Sequence, residues 1–119
     1  MQETVEADWG RDLIRGWNRG WYEAPSRIGD KIAQIVGAGP GQIVVSDSTS
    51  VNLFKLAMAA LALRPGRERI VSDVLNFPSD LYVLQGAIGL LGDRHQLVLA
   101  PSTDGIVPDQ DALLDAIDQ

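Results

Sequence analysis

The sequence predicts an α/β protein in which short strands alternate with helices and form a largely parallel sheet. Two observations carry this prediction: three short apolar runs, and a helical pattern that follows each of them. The chain has 119 residues, of which 45% are hydrophobic and 22% are charged. This length suits one domain or part of one, with a core that buries roughly two-thirds of the unfolded surface.

The elements follow one another in a regular order. A first helix is predicted over residues 28–37, where Ile28, Ile32, Ile35 and Val36 share one face and Gly37 supplies the stop. Three strands, at residues 43–46, 69–74 and 96–100, then alternate with three helices, at residues 51–63, 80–91 and 109–118.

The last predicted helix follows a strand, but no further strand is present to receive the crossover that it begins. We therefore expect the chain to be part of a longer protein, with an N-terminal arm over residues 1–27 and an incomplete domain over residues 28–119. The alternative is a short flavodoxin-like sheet that the last helix closes.

Composition excludes several classes of function. The formal charge of −6 argues against a nucleic-acid binder, which needs a basic surface. The absence of cysteine excludes disulfides and thiolate chemistry, and the single histidine, His95, leaves no paired histidines for a metal site. The sequence shows no signal peptide and no apolar run long enough to span a membrane, so we expect a cytoplasmic protein without nucleic-acid or membrane partners.

Small polar residues cluster between the first predicted strand and the next helix, over residues 46–52. Loops at the carboxyl ends of parallel strands are the usual place for ligands. Hydroxyl groups such as those of Thr49 and Ser50, together with the N–H groups at a helix start, suit a phosphate. The simpler interpretation is that one of these residues only caps the helix, because Ser, Thr and Asp are ordinary N-caps.

A second loop, over residues 76–80, occupies the corresponding place after the next strand. It contains Phe77, and an aromatic ring in such a loop either folds back onto the domain or offers a flat face to a ligand. The two loops follow consecutive strands, so they project from the same edge of the sheet. A phosphate site beside an aromatic ring suits a phosphorylated aromatic cofactor.

These residues carry a resemblance to a known family. The segments Asp47–Lys55 and Asn76–Tyr82, preceded by Leu13–Trp21 and Gly29–Ala33, resemble kynureninases in the same order and with compatible spacing. Kynureninases are fold-type I enzymes that depend on pyridoxal 5′-phosphate and have an aspartate-aminotransferase-like fold. The resemblance implies that residues 28–119 are the N-terminal part of the large cofactor-binding domain.

The resemblance also implies roles for individual residues. Thr49 and Ser50 match positions that bind the cofactor phosphate, and Phe77 matches the ring that stacks on the pyridine. The rest of the second loop matches further cofactor contacts: Pro78, Ser79 and Asp80. Trp17 matches a position that lines the pocket for the aryl end of the substrate.

The implied activity is the hydrolysis of L-kynurenine, or its 3-hydroxy form, to anthranilate or 3-hydroxyanthranilate and L-alanine. The resemblance places it in tryptophan catabolism and NAD biosynthesis, in a homodimer. The reaction needs a Schiff-base lysine, an Asp opposite the pyridine nitrogen and an Arg for the substrate carboxylate, and none of them is assigned in this chain. Lys31 suits a solvated face, while Lys55 suits either a phosphate ligand or a Schiff-base lysine. The resemblance argues against the second role for Lys55, because the Schiff-base lysine of the family belongs to a segment further along the chain than any residue here, so we expect the chain alone to be inactive.

Two other functions stay open at this point. One is another class V aminotransferase-like enzyme, such as a cysteine desulfurase, many of which place a His over the pyridine ring. The other is a small acidic α/β module that binds a partner without catalysis. Of the remaining candidates, we expect Tyr82 in the core, His95 at an exposed strand edge, and packing or a subunit contact for Trp9 and Trp21.

Overall fold

The computed structural model describes residues 1–92 and 94–118. Their contacts form two compact units, of which the first is Met1–Ser46 and the second begins at Asp47. This division lies further along the chain than the predicted end of the arm at residue 27. The assignment of residues 28–119 to one cofactor-binding domain stays a prediction.

The first unit begins with two irregular helices, a π-helix over Thr4–Asp12 and a 3₁₀ helix over Leu13–Arg19. The rings of Trp9 and Trp21 pack edge to face with their centroids 6.0 Å apart. Gly16 is buried and lies against the indole of Trp21, since an added Cβ would be 3.5 Å from that ring. Packing therefore explains half-buried Trp21, whereas Trp9 is 60% exposed and a subunit contact stays a prediction for it.

Helix α1 spans Ala24–Val36 and begins four residues earlier than predicted, with a proline in its first turn. It ends as predicted at Gly37, whose φ of 76° is left-handed and whose N–H donates to the carbonyl oxygen of Ala33. Its buried residues are Gly29 and Ala33. The predicted apolar face is instead exposed: Ile28, Ile32, Ile35 and Val36. The contact face of α1 is thus made of small residues.

Residues 43–46, predicted as the first strand, form no strand in the described structure. Their backbone lies against α1, where the N–H of Val45 donates to the carbonyl oxygen of Pro25 at 3.2 Å. The carbonyl oxygen of Ile43 lies only 1.9 Å from where a Cβ on Gly29 would be. The prediction of a strand over residues 43–46 is wrong because this segment meets a helix rather than another strand.

The second unit contains helix α2 (Thr49–Leu63), strand β1 (Arg69–Asp73), helix α3 (Pro78–Leu90), strand β2 (Gln96–Ala100) and helix α4 (Gln110–Asp118). The two strands pair in parallel, with Arg69 opposite Gln96 and Asp73 opposite Ala100. All these bounds agree with the sequence prediction to within two residues. The prediction of an α/β unit with a parallel sheet is confirmed.

The core of the second unit lies where α3 meets its neighbours. Helix α3 packs against α2 and β2, and α4 packs against both strands. Leu84 and Ala87 of α3 and Ala100 of β2 are buried. Leu84 belongs to the predicted apolar stripe of α3, whose other members are half-buried: Leu81, Ile88 and Leu91. The stripe therefore predicts the packed face of this helix.

His95 is buried, with 8% of its surface exposed, so the prediction of an exposed strand edge is wrong. The position directly after it is fixed, because Gln96 pairs with Arg69 and donates its N–H to the carbonyl oxygen of Glu68 at 2.8 Å. The strand entrance is thus part of the packed structure. None of the described helices combines the length and apolar character needed to cross a bilayer.

Candidate functional site

Helix α2 begins in the loop that the sequence singles out for a phosphate. Ser48 is its N-cap, with extended backbone, and its hydroxyl accepts a hydrogen bond from the N–H of Val51 at 3.4 Å. The first bond of the helix runs from the N–H of Asn52 to the carbonyl oxygen of Ser48 at 2.9 Å. Capping therefore explains Ser48, as the simpler interpretation of this loop requires.

Capping does not explain Thr49 and Ser50, which are the first two residues of the helix itself. Their N–H groups precede the first bond of the helix and point out of its positive end. Thr49 is exposed and Ser50 is half-buried, so hydroxyl and amide donors meet at an accessible helix start. This is the donor set that a phosphate requires.

An ion pair lies beside this helix start. The ammonium group of Lys55 contacts the carboxylate of Asp47, the residue before the N-cap. Both side chains are exposed, at 56% for Lys55 and 46% for Asp47. The ammonium of Lys55 thus lies at the N-terminal end of α2, where the sequence analysis predicts that Lys55 could bind a phosphate.

Helix α3 begins in the second loop. Phe77 is its N-cap and Pro78 is its first residue, where the missing N–H costs nothing. The side-chain oxygen of Asn76 accepts from the N–H of Phe77 at 2.8 Å, and its amide group donates to the hydroxyl of Ser72 at 3.0 Å. The backbone of Phe77 is therefore fixed to the end of β1.

The ring of Phe77 is 72% exposed. Of the two orientations that the sequence leaves open, the structure has the ring turned outward rather than folded onto the domain. Ser79 and Asp80 lie in the first turn of α3, and the Ser79 hydroxyl is 3.4 Å from a carboxylate oxygen of Asp80. These groups stand at the start of the helix together with Pro78.

A groove of about 520 Å³ runs between α2 and α3, with predominantly apolar walls. Ser50 and Phe54 line it from α2, while Tyr82 and Gly86 line it from α3. Tyr82 is 71% exposed, so its predicted place in the core is wrong. Its position next to Leu81, off the apolar stripe of α3, is the sequence signal that places it on the surface.

The structure thus brings some predicted site residues together and leaves others apart. Ser50 shares the groove with Tyr82, on the helix that Phe77 caps. Phe77 is not among the residues that line that groove, and the helices that follow the two loops, α2 and α3, pack against each other. The roles of Thr49, Ser50, Phe77 and residues 78–80 stay predictions.

Trp17 belongs to the first unit, where it lies in the 3₁₀ helix. Its ring is 6.4 Å from that of Tyr22 and is 55% exposed. It lines an apolar hollow of about 360 Å³ with Trp9 and Ile14. The side chain is accessible to an aromatic ligand within its own unit, and its role in substrate binding stays a prediction.

Relatives of the chain are known by name, although no protein-family model matches it. The chain is 44% identical over 103 residues to a kynureninase of Burkholderia pseudomallei (strain 1106a), a match that covers 82% of this chain and 25% of the relative. It is 40% identical over 108 residues to a kynureninase of Pseudomonas fluorescens, which covers 87% of this chain and 26% of the relative.

A kynureninase of Burkholderia mallei (strain ATCC 23344) is 43% identical over 103 residues, or 82% of this chain and 25% of the relative. The resemblance to kynureninases that the sequence predicts is therefore confirmed. The chain spans about a quarter of the length of the curated relatives it matches.

Proposed function

We propose that the chain is the phosphate-binding and ring-contacting part of a pyridoxal 5′-phosphate-dependent kynureninase. The enzyme hydrolyses L-kynurenine, or 3-hydroxykynurenine, to anthranilate or its 3-hydroxy form and L-alanine, in tryptophan catabolism. The observation that carries the proposal is the similarity to kynureninases over 82% of the chain, which includes most of the second unit. The finer assignments are a large domain of the aspartate-aminotransferase-like fold and a homodimer.

The residues at the start of α2 fit the phosphate of this cofactor. Thr49 and Ser50 offer two hydroxyl groups and two N–H groups at the positive end of a 15-residue helix. Hydrogen bonds from such groups to an anion are shorter and stronger than bonds between neutral groups. In the proposed enzyme these two residues anchor the cofactor by its phosphate.

The residues at the start of α3 fit its aromatic ring. Phe77 presents an exposed phenyl face from a backbone that Asn76 holds in place, so the ring is available to stack. Pro78 and Ser79 line the same helix start, and Asp80 supplies a carboxylate in its first turn. When bound, pyridoxal phosphate supplies the electron sink for bond cleavage, and these residues orient it.

In this proposal Trp17 lines the pocket for the aryl end of the substrate, because its indole is exposed on an apolar surface. A cysteine desulfurase is the less favoured alternative, since the relatives bear the name kynureninase and an aromatic residue stands where many desulfurases have His. An acidic binding module without catalysis is disfavoured by the same relatives.

The test is a titration of the chain with pyridoxine 5′-phosphate and with pyridoxine, followed by amide chemical shifts in NMR spectra. Neither ligand has an aldehyde, so neither reacts with lysines. We expect the phosphorylated ligand to bind at least ~10-fold more tightly and to shift the amides of Thr49 and Ser50. Thr49→Ala should weaken its binding ~5-fold, whereas Thr103→Ala, in an exposed loop, should not. Equal affinity for the two ligands would refute the phosphate site.

A second assay concerns catalysis. When the chain is mixed with pyridoxal 5′-phosphate and L-kynurenine, we expect no fluorescence from anthranilate, because none of its residues is assigned as the Schiff-base lysine. Release of anthranilate by the chain alone would show that Lys31 or Lys55 forms the Schiff base.

A further inference from the structure

We propose that the exposed ion pair of Asp47 and Lys55 sets the affinity of the helix start for phosphate, with the two residues acting in opposite directions. The Lys55 ammonium favours phosphate binding because it compensates the Asp47 carboxylate. The Asp47 carboxylate is the charge that limits anion binding. This inference rests on the proposed function, because it concerns the phosphate that Thr49 and Ser50 hold there.

The position of Lys55 in the helix does not by itself place its charge at the phosphate site. Lys55 is the seventh residue of α2, so its Cα lies about 9 Å along the helix axis from that of Thr49. Side chains on a helix incline toward its N-terminus, and the Lys55 ammonium reaches the carboxylate of Asp47. The ammonium therefore lies at the helix start in contact with Asp47, and in Asp47→Asn the same reach leaves it free to approach a phosphate.

The carboxylate has two opposed effects. A negative charge next to the N-cap suits the positive end of the helix, but it repels a phosphate that approaches the same end. The Lys55 ammonium compensates that charge and leaves the hydroxyl and N–H donors of Thr49 and Ser50 to decide binding. No second lysine or arginine is needed for this effect, because the loss of either charge of the pair changes the net charge at the helix start by one unit.

The exposure of the pair makes the inference testable. An ion pair whose side chains are 56% and 46% exposed contributes little to folding, so variants of either residue should keep the fold. A phosphate dianion about 8 Å from one unit charge in water changes its affinity ~5-fold when that charge is removed. The effect is largest at low salt, where the charges are least screened.

The experiment measures the dissociation constant of pyridoxine 5′-phosphate from amide chemical shifts at pH 7.5 and low ionic strength. We expect Lys55→Met to weaken binding ~5-fold and Asp47→Asn to strengthen it by a similar factor. The double variant should return to within about twofold of the natural chain, and Lys55→Arg should preserve its affinity. The two single effects should fade in about 1 M salt.

Arg94→Met is the matched control, since Arg94 is an exposed cation just before β2. The C-terminal half of α2 lies at that end of the sheet, where Ala57 and Leu61 line a hollow with Arg69. Arg94 is thus remote from the start of α2, and its loss should leave the dissociation constant unchanged.

Three results would overturn the inference. Changes of less than twofold in both single variants, in a chain that still prefers pyridoxine 5′-phosphate to pyridoxine, refute the role of the pair and leave the proposed function standing. Changes in the same direction for Lys55→Met and Asp47→Asn show that the residues act through the fold rather than through charge. Failure of the natural chain to prefer the phosphorylated ligand refutes both proposals.

Discussion

Gly29 of helix α1 is the position where one added methyl group should have the clearest effect on the first unit. The glycine is buried, and a Cβ built on it would lie 1.9 Å from the carbonyl oxygen and 2.6 Å from the carbonyl carbon of Ile43. Ordinary contact begins at 3.4 Å, so Gly29→Ala must move the Ile43 backbone by about 1.5 Å. A backbone group, unlike the end of a flexible side chain, cannot shift this far without breaking the hydrogen bonds of neighbouring residues.

The cost follows from the hydrogen bonds on either side of the contact. The N–H of Val45 donates to the carbonyl oxygen of Pro25 at 3.2 Å, and that of Gly41 donates to the carboxylate of Asp30 at 2.8 Å. Loss of both costs ~1–3 kcal/mol, since each such bond contributes about 1 kcal/mol. The gain in helix propensity from Gly to Ala is only about 1 kcal/mol. The close contact of the added methyl group with the Ile43 backbone adds to the cost, so we expect the free energy of unfolding to fall by about 1–2 kcal/mol.

Hydrogen exchange of the two amides, Val45 and Gly41, measures this effect locally. We expect both to exchange ~10-fold faster in Gly29→Ala, as about 1.4 kcal/mol requires. The matched control is Gly86→Ala in α3, where an added Cβ meets nothing within 4 Å. That variant should stabilise its helix by ~0.5–1 kcal/mol and leave both amides unchanged. Unchanged exchange in Gly29→Ala would refute the close contact between α1 and residues 43–44.

Three further predictions concern the second unit. Ser48→Ala should destabilise α2 by about 1 kcal/mol in chemical unfolding, because the cap on the Val51 N–H is lost, and Ser48→Asp should restore it. Phe77→Ala should weaken binding of pyridoxine 5′-phosphate ~3- to 10-fold without loss of stability, as the ring is exposed; a loss of stability would mean that the ring is packed. Hydrogen bonds, above all from the N–H of Val107, lower the pKa of Asp104 in the folded chain. The ionised Asp104 therefore stabilises the loop fully above the pKa that the residue has in the unfolded chain, and this stabilisation is lost as the pH falls through its lower pKa in the folded chain. The Val107 amide shift should therefore titrate below the ordinary Asp pKa, and no longer do so in Asp104→Asn.

The second unit could be predicted from sequence because its signals are local. The helix stops and starts depend on residues such as Ser48 and Pro78, which act within one turn. The stripe of α3 around Leu84 depends on spacing alone, and β2 is an apolar run between two helices. In each case the information lies within about ten residues of the element.

The failures concern residues whose state depends on distant neighbours. Residues 43–46 have the composition of a strand, but a strand needs a partner, and here Gly29 allows the helix backbone to lie where a partner would be. His95 is buried just before β2, and nothing in its own local sequence reveals this burial. Tyr82 is exposed although it is aromatic, because the stripe of α3 lies on another face.

Exposure alone does not single out Phe77 as a ligand contact, because other large apolar side chains of the chain are equally exposed, among them Leu63 and Ile106. What distinguishes Phe77 is the contrast between its ring and its backbone. The backbone N–H of Phe77 is hydrogen-bonded to the side chain of Asn76, which is hydrogen-bonded in turn to Ser72 in strand β1. The ring itself has no such restraint. A ring whose backbone is fixed before a ligand arrives loses less entropy when it stacks than a ring on a loose loop. The link from β1 through Asn76 is therefore the physical reason to propose the aromatic contact for Phe77 rather than for another exposed apolar residue.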